Sequence, residues 1–130
     1  MQQTPAPGES SRIGASDAAD SAAALAVIVQ TTVGSETEAR ELAGRALEAR
    51  LAACAQVSQI RSLYRWAGEI QDEAEQLVSF KTTRDAAVEL CSLLQREHSY
   101  EEPEVVVLPI IDGSDGYLRW LEESTRPGTA

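Results

Sequence analysis

The chain has 130 residues, 43% of them hydrophobic, and 21 acidic against 11 basic side chains give it a net charge of -10. That length suits one domain with one core, and the charge argues against a nucleic-acid backbone or an anionic membrane as partner, since neither attracts an acidic surface. It is compatible with cations, metal ions included.

Two cysteines, Cys54 and Cys91, make no disulfide framework. No run approaches the ~20 apolar residues of a membrane span. The first residues have neither a basic n-region nor an apolar h-segment, so the cytoplasm is the expected compartment.

Residues 1–24, rich in Ala, Ser, Gln, Gly and Pro, lack the large apolar side chains that would offset ordering entropy, and are expected to be a disordered leader. The domain is expected over 25–125, and 126–130 reads as a frayed tail. Leu25–Thr32, LAVIVQTT, is a short apolar run that predicts a strand buried on both faces. Gly34 breaks it. Ser35 and Glu38 then form a Ser-x-x-Glu capping box. The helix that follows carries Ala39, Leu42, Ala43, Ala46, Leu47 and Leu51 on one stripe and is expected to end near Ala53.

From Cys54 to Thr83 the pattern alternates with period two on both sides of Ala67-Gly68, which predicts a long hairpin. Arms of roughly 13 residues at ~3.3 Å per residue span ~40 Å, well beyond the ~13 Å radius of gyration of a domain this size. Thr82, with Asp85 at the third position, is expected to cap a second helix whose core stripe is Ala87, Leu90, Cys91 and Leu94 and which closes at Arg96–His98. Glu104–Asp112 predicts a last strand, placed at a sheet edge or bulge by Pro109. Ser114 opens a final short helix with Tyr117, Leu118 and Leu121.

The order β-α-β-β-α-β plus a C-terminal helix predicts an α+β, ferredoxin-like antiparallel sheet with two helices on one face. The first hairpin arm and the last strand then become sheet edges. Edges need cover, and an overlong hairpin beside apolar strands points to a closed homo-oligomer.

The segments TEARELAGRALEARLAACAQV, SLYRWAGEIQDEAE, LVSFKTT, HSYEEPEVVVLPI and GYLRWL, in that order and spacing, resemble the divalent-cation tolerance family CutA from about Ala26 to Ser124. The resemblance implies a homotrimer with sheets around a threefold axis and hairpin arms pairing across subunits. It also implies a role in metal-ion tolerance. In architecture it is similar to the PII signalling proteins, which by itself carries no function. Two other readings stay open: a PII-like module binding a small ligand between subunits, and a trimeric scaffold without a ligand.

His98, the single histidine, follows Glu97 at a helix end. It reads either as a metal ligand assisted by that carboxylate or as a cation capping the helix dipole. Some members of the resembling family build a copper site from a cysteine at the end of the first strand and a His-His pair. Here those positions are Thr31 and Glu97, and only His98 matches, which implies at most a weak Cu(II) or Zn(II) site of His98 and Glu97.

Cys54, where the family motif also has cysteine, reads as a small buried hydrophobe or, beside Lys81 at a subunit boundary, as a soft-metal thiolate. Cys91 reads as core. Lys81 is the sole lysine, and if buried it needs a carboxylate, with Glu101, Glu104 or Glu73 of a neighbour as candidates. It is a ligand-cleft candidate or an inter-subunit ion pair. Tyr100 and Glu101 join Cys54 and Lys81 as cleft candidates. Tyr64, Trp66 and Trp120 read as interface anchors rather than a cofactor platform. With no Gly-rich phosphate loop, no CxxC and no Ser-His-Asp set, nothing in the residues indicates an enzyme.

Overall fold

The computed structural model describes residues 24–125, so the leader and tail expectations lie outside the described residues. Its elements are β1 (Ala26–Val33), α1 (Glu36–Glu48), β2 (Cys54–Trp66), β3 (Glu69–Thr83), α2 (Arg84–Glu97), β4 (Val106–Ile110) and α3 (Asp115–Ser124). The four strands form one antiparallel sheet in the order β2-β3-β1-β4, so β2 and β4 are the edges, as the strand pattern implies. This is the ferredoxin-like arrangement with an added helix.

α1 and α2 each start where a side chain satisfies an otherwise unpaired backbone donor. Ser35 Oγ accepts from the Glu38 N–H at 3.1 Å. Thr83, one residue later than expected, accepts from the Ala86 N–H at 3.2 Å. Thr82 instead is buried on the helix-facing side of β3, and its hydroxyl donates to Leu51 O at 2.6 Å.

α1 stops five residues before Ala53. The Arg50 N–H bonds Leu47 O and the Leu51 N–H bonds Ala46 O, the paired bonds of a Schellman ending. The left-handed residue that this ending needs is Arg50, with φ of 59°. Leu51 is therefore buried beyond the helix rather than on its stripe, while Leu47 is 42% exposed. Because a Cβ is disfavoured at that φ, Arg50→Gly is expected to stabilise the fold by about 0.5–1 kcal/mol. A rise in urea midpoint at unchanged slope checks it.

Val27, Val29, Thr31 and Val33 of β1 and Val78, Phe80 and Thr82 of β3 face the helices and are all fully buried. Ala39, Leu42 and Ala46 of α1 and Ala87, Leu90 and Leu94 of α2 close over them. Cys91 packs half-buried at the margin of this core, and burial pushes its thiol up. The other face of β1 is only half-covered at Ala26, Ile28 and Gln30, so the strand is not buried on both faces in the single chain. α3 reaches this second face, where Tyr117 meets Lys81.

The hairpin arms pair in register from Cys54↔Lys81 to Trp66↔Glu69. Ala67 and Gly68 both have positive φ, 54° and 80°, as the two-residue turn that matches strand twist requires. The distal arms outrun the helices, leaving Leu63 65%, Trp66 51% and Ile70 63% exposed. β4 is shorter than the expected Glu104–Asp112 and lies at an edge, which accommodates Pro109.

Candidate functional site: an acidic cleft beside His98

The expected site residues fall into two groups at different places on the sheet. Cys54 and Lys81 are direct cross-strand partners near the start of the hairpin. Both are only partly buried, and Cys54 is a free thiol. Among the described residues no carboxylate pairs with Lys81. Its ammonium lies 5.8 Å from the centre of the Tyr117 ring, an aromatic face taking the place of the expected acid.

The second group gathers where α2 hands the chain to β4. His98 is the residue after α2, and its side chain is fully enclosed. Its Nδ1 accepts from the Tyr100 N–H at 3.0 Å. The ring proton therefore sits on Nε2, which lies 2.9 Å from Thr32 O and 3.1 Å from Thr31 Oγ1. Tyr100 stacks at a tilt against the imidazole, with ring centres 4.9 Å apart. Its hydroxyl donates to Glu75 Oε2 at 2.8 Å. Glu75 is only 7% exposed, a carboxylate held nearly out of water.

Further along the hairpin, the Tyr64 hydroxyl donates to Glu73 Oε1 across the strands. This is the diagonal neighbour contact that antiparallel pairing permits, since Tyr64 pairs with Gln71 and Glu73 with Ser62.

These pairs and the connection after α2 enclose a cleft of about 750 Å³ whose lining includes Thr32, Tyr64, Tyr100 and five carboxylates, Glu73, Glu75, Glu101, Glu102 and Glu104. Arg61 also lines it, but its guanidinium is committed to Asp72 at 2.6 Å. A larger groove of about 1190 Å³ opens between the end of α1, the start of α2 and α3, away from every expected site residue. Arg50 lines it, and the buried Nε of that residue has no hydrogen-bond partner.

Glu97 turns away from His98 and accepts from Arg45 at 2.7 Å. Thr31, at the position where the family resemblance implies cysteine in copper-binding members, presents a hydroxyl already engaged by His98. With both ring nitrogens engaged, His98 and Glu97 do not fit a metal ion as a ligand pair. Among the described residues no three His, Cys, Asp or Glu side chains converge closely enough to hold a metal. What the cleft offers is a field: several carboxylates on one wall, with two phenols keeping two of them oriented.

Both phenols titrate late. Tyr100 is raised well above its usual value by burial first and then by its bond to Glu75 and the charges of Glu75 and Glu73. Tyr64 is raised first by its bond to Glu73 and then by burial. The folded state thus keeps protons that the unfolded chain begins to lose near pH ~10. Stability from these pairs is intact below that pH and is lost as pH climbs toward the folded values. Near-ultraviolet titration of the phenolate band should show late ionisation, and Tyr100→Phe should remove the latest step.

Residues 27–124 match the family model described as CutA1 divalent ion tolerance protein. The chain belongs to the CutA1 family. The divalent-cation tolerance protein CutA of Thermus thermophilus is 43% identical over 99 residues, covering 75% of this chain and 96% of that protein. The chloroplastic protein CutA of Arabidopsis thaliana is 39% identical over 101 residues, and the match spans 77% of this chain but only 56% of the plant protein. The solved structure of CutA from Synechococcus elongatus superposes with a TM-score of 0.77 at 45% identity, covering 79% of this chain and 92% of that one. The CutA1 match thus includes the cleft, His98 and both hairpin arms.

Sequence reasoning singled out His98, Tyr100 and Glu101 but missed Glu75, Thr32 and Glu38. Glu75 hides in a run of acidic residues on a strand. Its alternation with Leu77 and Glu73 offers no sign that a tyrosine 25 positions later will bury it.

Proposed function

We propose that this CutA1 family member serves in divalent-cation tolerance and meets cations weakly through the carboxylates of the cleft. The observation that carries this reading is the five-glutamate lining, in which Tyr64 and Tyr100 orient Glu73 and Glu75. Carboxylate oxygens suit hard or hydrated divalent ions, and loosely spaced ones hold them through water rather than in a closed cage. The name of the relative from Thermus, a divalent-cation tolerance protein, supports the family role.

The same reading includes a homotrimer closed by the two free edges. The exposed apolar residues of the distal hairpin and of β4 favour it, since a lone chain leaves Leu63, Trp66, Ile70, Val106 and Val107 in water. Two free thiols agree with a reducing compartment, and the cytoplasm is the one we assign. No helix among the described residues is long and apolar enough to cross a membrane.

Titration calorimetry of the full chain with Zn(II) and Cu(II) tests the cation role. Weak binding is expected, and the triple change Glu101→Gln, Glu102→Gln, Glu104→Gln should diminish it as ionic strength does. Absence of any heat of binding at millimolar cation would overturn the reading.

A further inference from the structure

We infer that His98 is a positioning residue: a neutral hydrogen-bond latch that holds Tyr100, and through it Glu75, in place at the cleft, and not itself a cation ligand. The inference rests on the cleft reading above for its functional meaning, though the latch stands on geometry alone.

Three anchors fix the connection after α2. The first is on β1, where the Nε2–H of His98 meets Thr32 O at 2.9 Å and Thr31 Oγ1 at 3.1 Å. The second is on α1. Glu38, instead of closing its capping box on the Ser35 N–H, accepts from the Ser99 N–H at 3.1 Å and from Ser99 Oγ at 2.8 Å. The third is on β3, where the Tyr100 hydroxyl donates to Glu75.

His98 links the first anchor to the third. Its Nδ1 takes the Tyr100 N–H two residues ahead, so one imidazole bonds β1 with one nitrogen and folds the following turn with the other. This leaves neither lone pair nor open path for an ion, because the side chain has no exposed surface. Glu38 Oε2 stands 3.9 Å from Nδ1, already occupied by Ser99.

The turn decides where Tyr100 points. The phenol passes close to β1's end, so that a Cβ at Gly34 would lie 3.4 Å from its oxygen. It then reaches Glu75, whose buried carboxylate accepts no other hydrogen bond among the described residues. Releasing the latch therefore frees Tyr100, leaves Glu75 without that donor and loosens the wall carrying Glu101 and Glu102.

The test compares full-length wild type with His98→Ala and His98→Asn. An asparagine Oδ1 can accept the N–H two residues on, as in an Asx-turn, but offers no imidazole. Amide hydrogen exchange reads the latch directly. Tyr100 exchange is expected to accelerate at least about tenfold in His98→Ala and to return toward wild type in His98→Asn. Leu90 in the core of α2 should be unchanged in both, which excludes global unfolding.

Zn(II) affinity should follow the same order, weakened in His98→Ala and largely restored in His98→Asn. Unchanged Tyr100 exchange in His98→Ala overturns the latch. Zn(II) affinity lost equally in both variants, with Tyr100 protection restored in His98→Asn, overturns the positioning role and makes His98 a ligand. Should wild type bind no Zn(II), the cleft reading falls while the exchange comparison still decides the latch.

Discussion

Phe80→Ala is expected to destabilise the fold by about 3–5 kcal/mol, a large part of the ~5–15 kcal/mol that holds a typical domain together. Phe80 lies on β3, which is flanked by β2 and β1, and it is fully buried. Its cross-strand partners on the same face are Ala55 and Val29, one of them too small to close a gap. α1 and α2 both bury their stripes on this face. Removing the ring therefore empties space that a sheet tied on both sides cannot collapse into. Urea unfolding at fixed protein concentration measures the loss, since any assembly makes the midpoint depend on concentration. A loss below about 1 kcal/mol would show that the core is not centred there.

Charging the hairpin should break the proposed trimer. Leu63 and Ile70 are 65% and 63% exposed and sit diagonally across the two arms, beyond the cover of the helices. In the double variant Leu63→Lys, Ile70→Lys, association should weaken by about 100-fold or more. Each aliphatic side chain contributes ~1.5–3 kcal/mol when buried, and an ammonium in its place has to be desolvated. Light scattering should then report monomers at micromolar concentration, with the circular dichroism of the chain preserved. A trimer mass that survives both changes, or a wild type that is monomeric, would refute the edge-pairing assembly.

Much of the fold was legible because periodicity is local. The alternation through β2 and β3, the Ala67-Gly68 turn and the stripe of α2 each follow from a few consecutive residues, and together they impose the strand order. Misplaced boundaries arose where an unremarkable residue took an unusual role. Arg50 adopts the left-handed conformation that glycine would have signalled. Thr82 and Thr83 are chemically alike, and only the pleat decides which faces the core and which caps α2.

The candidate site was legible in its parts and not in its wiring. The sole histidine draws attention as a ligand, yet its enclosure depends on Thr31 and Thr32, more than 60 residues away. Glu38 belongs to a good capping box by pattern, but the fold brings Ser99 to its carboxylate. Such pairings are set by packing between elements, which no window of sequence contains.

Lys81 has a practical consequence. It carries the chain's only ε-amine, and it lies against Tyr117 of α3 rather than free in water. Its rate of acylation by an amine-directed reagent would therefore respond to how closely Tyr117 and α3 lie over it. Acylation at that one side chain, resolved from the N-terminal amine by peptide mapping, would follow the packing of one helix without any substitution in the chain.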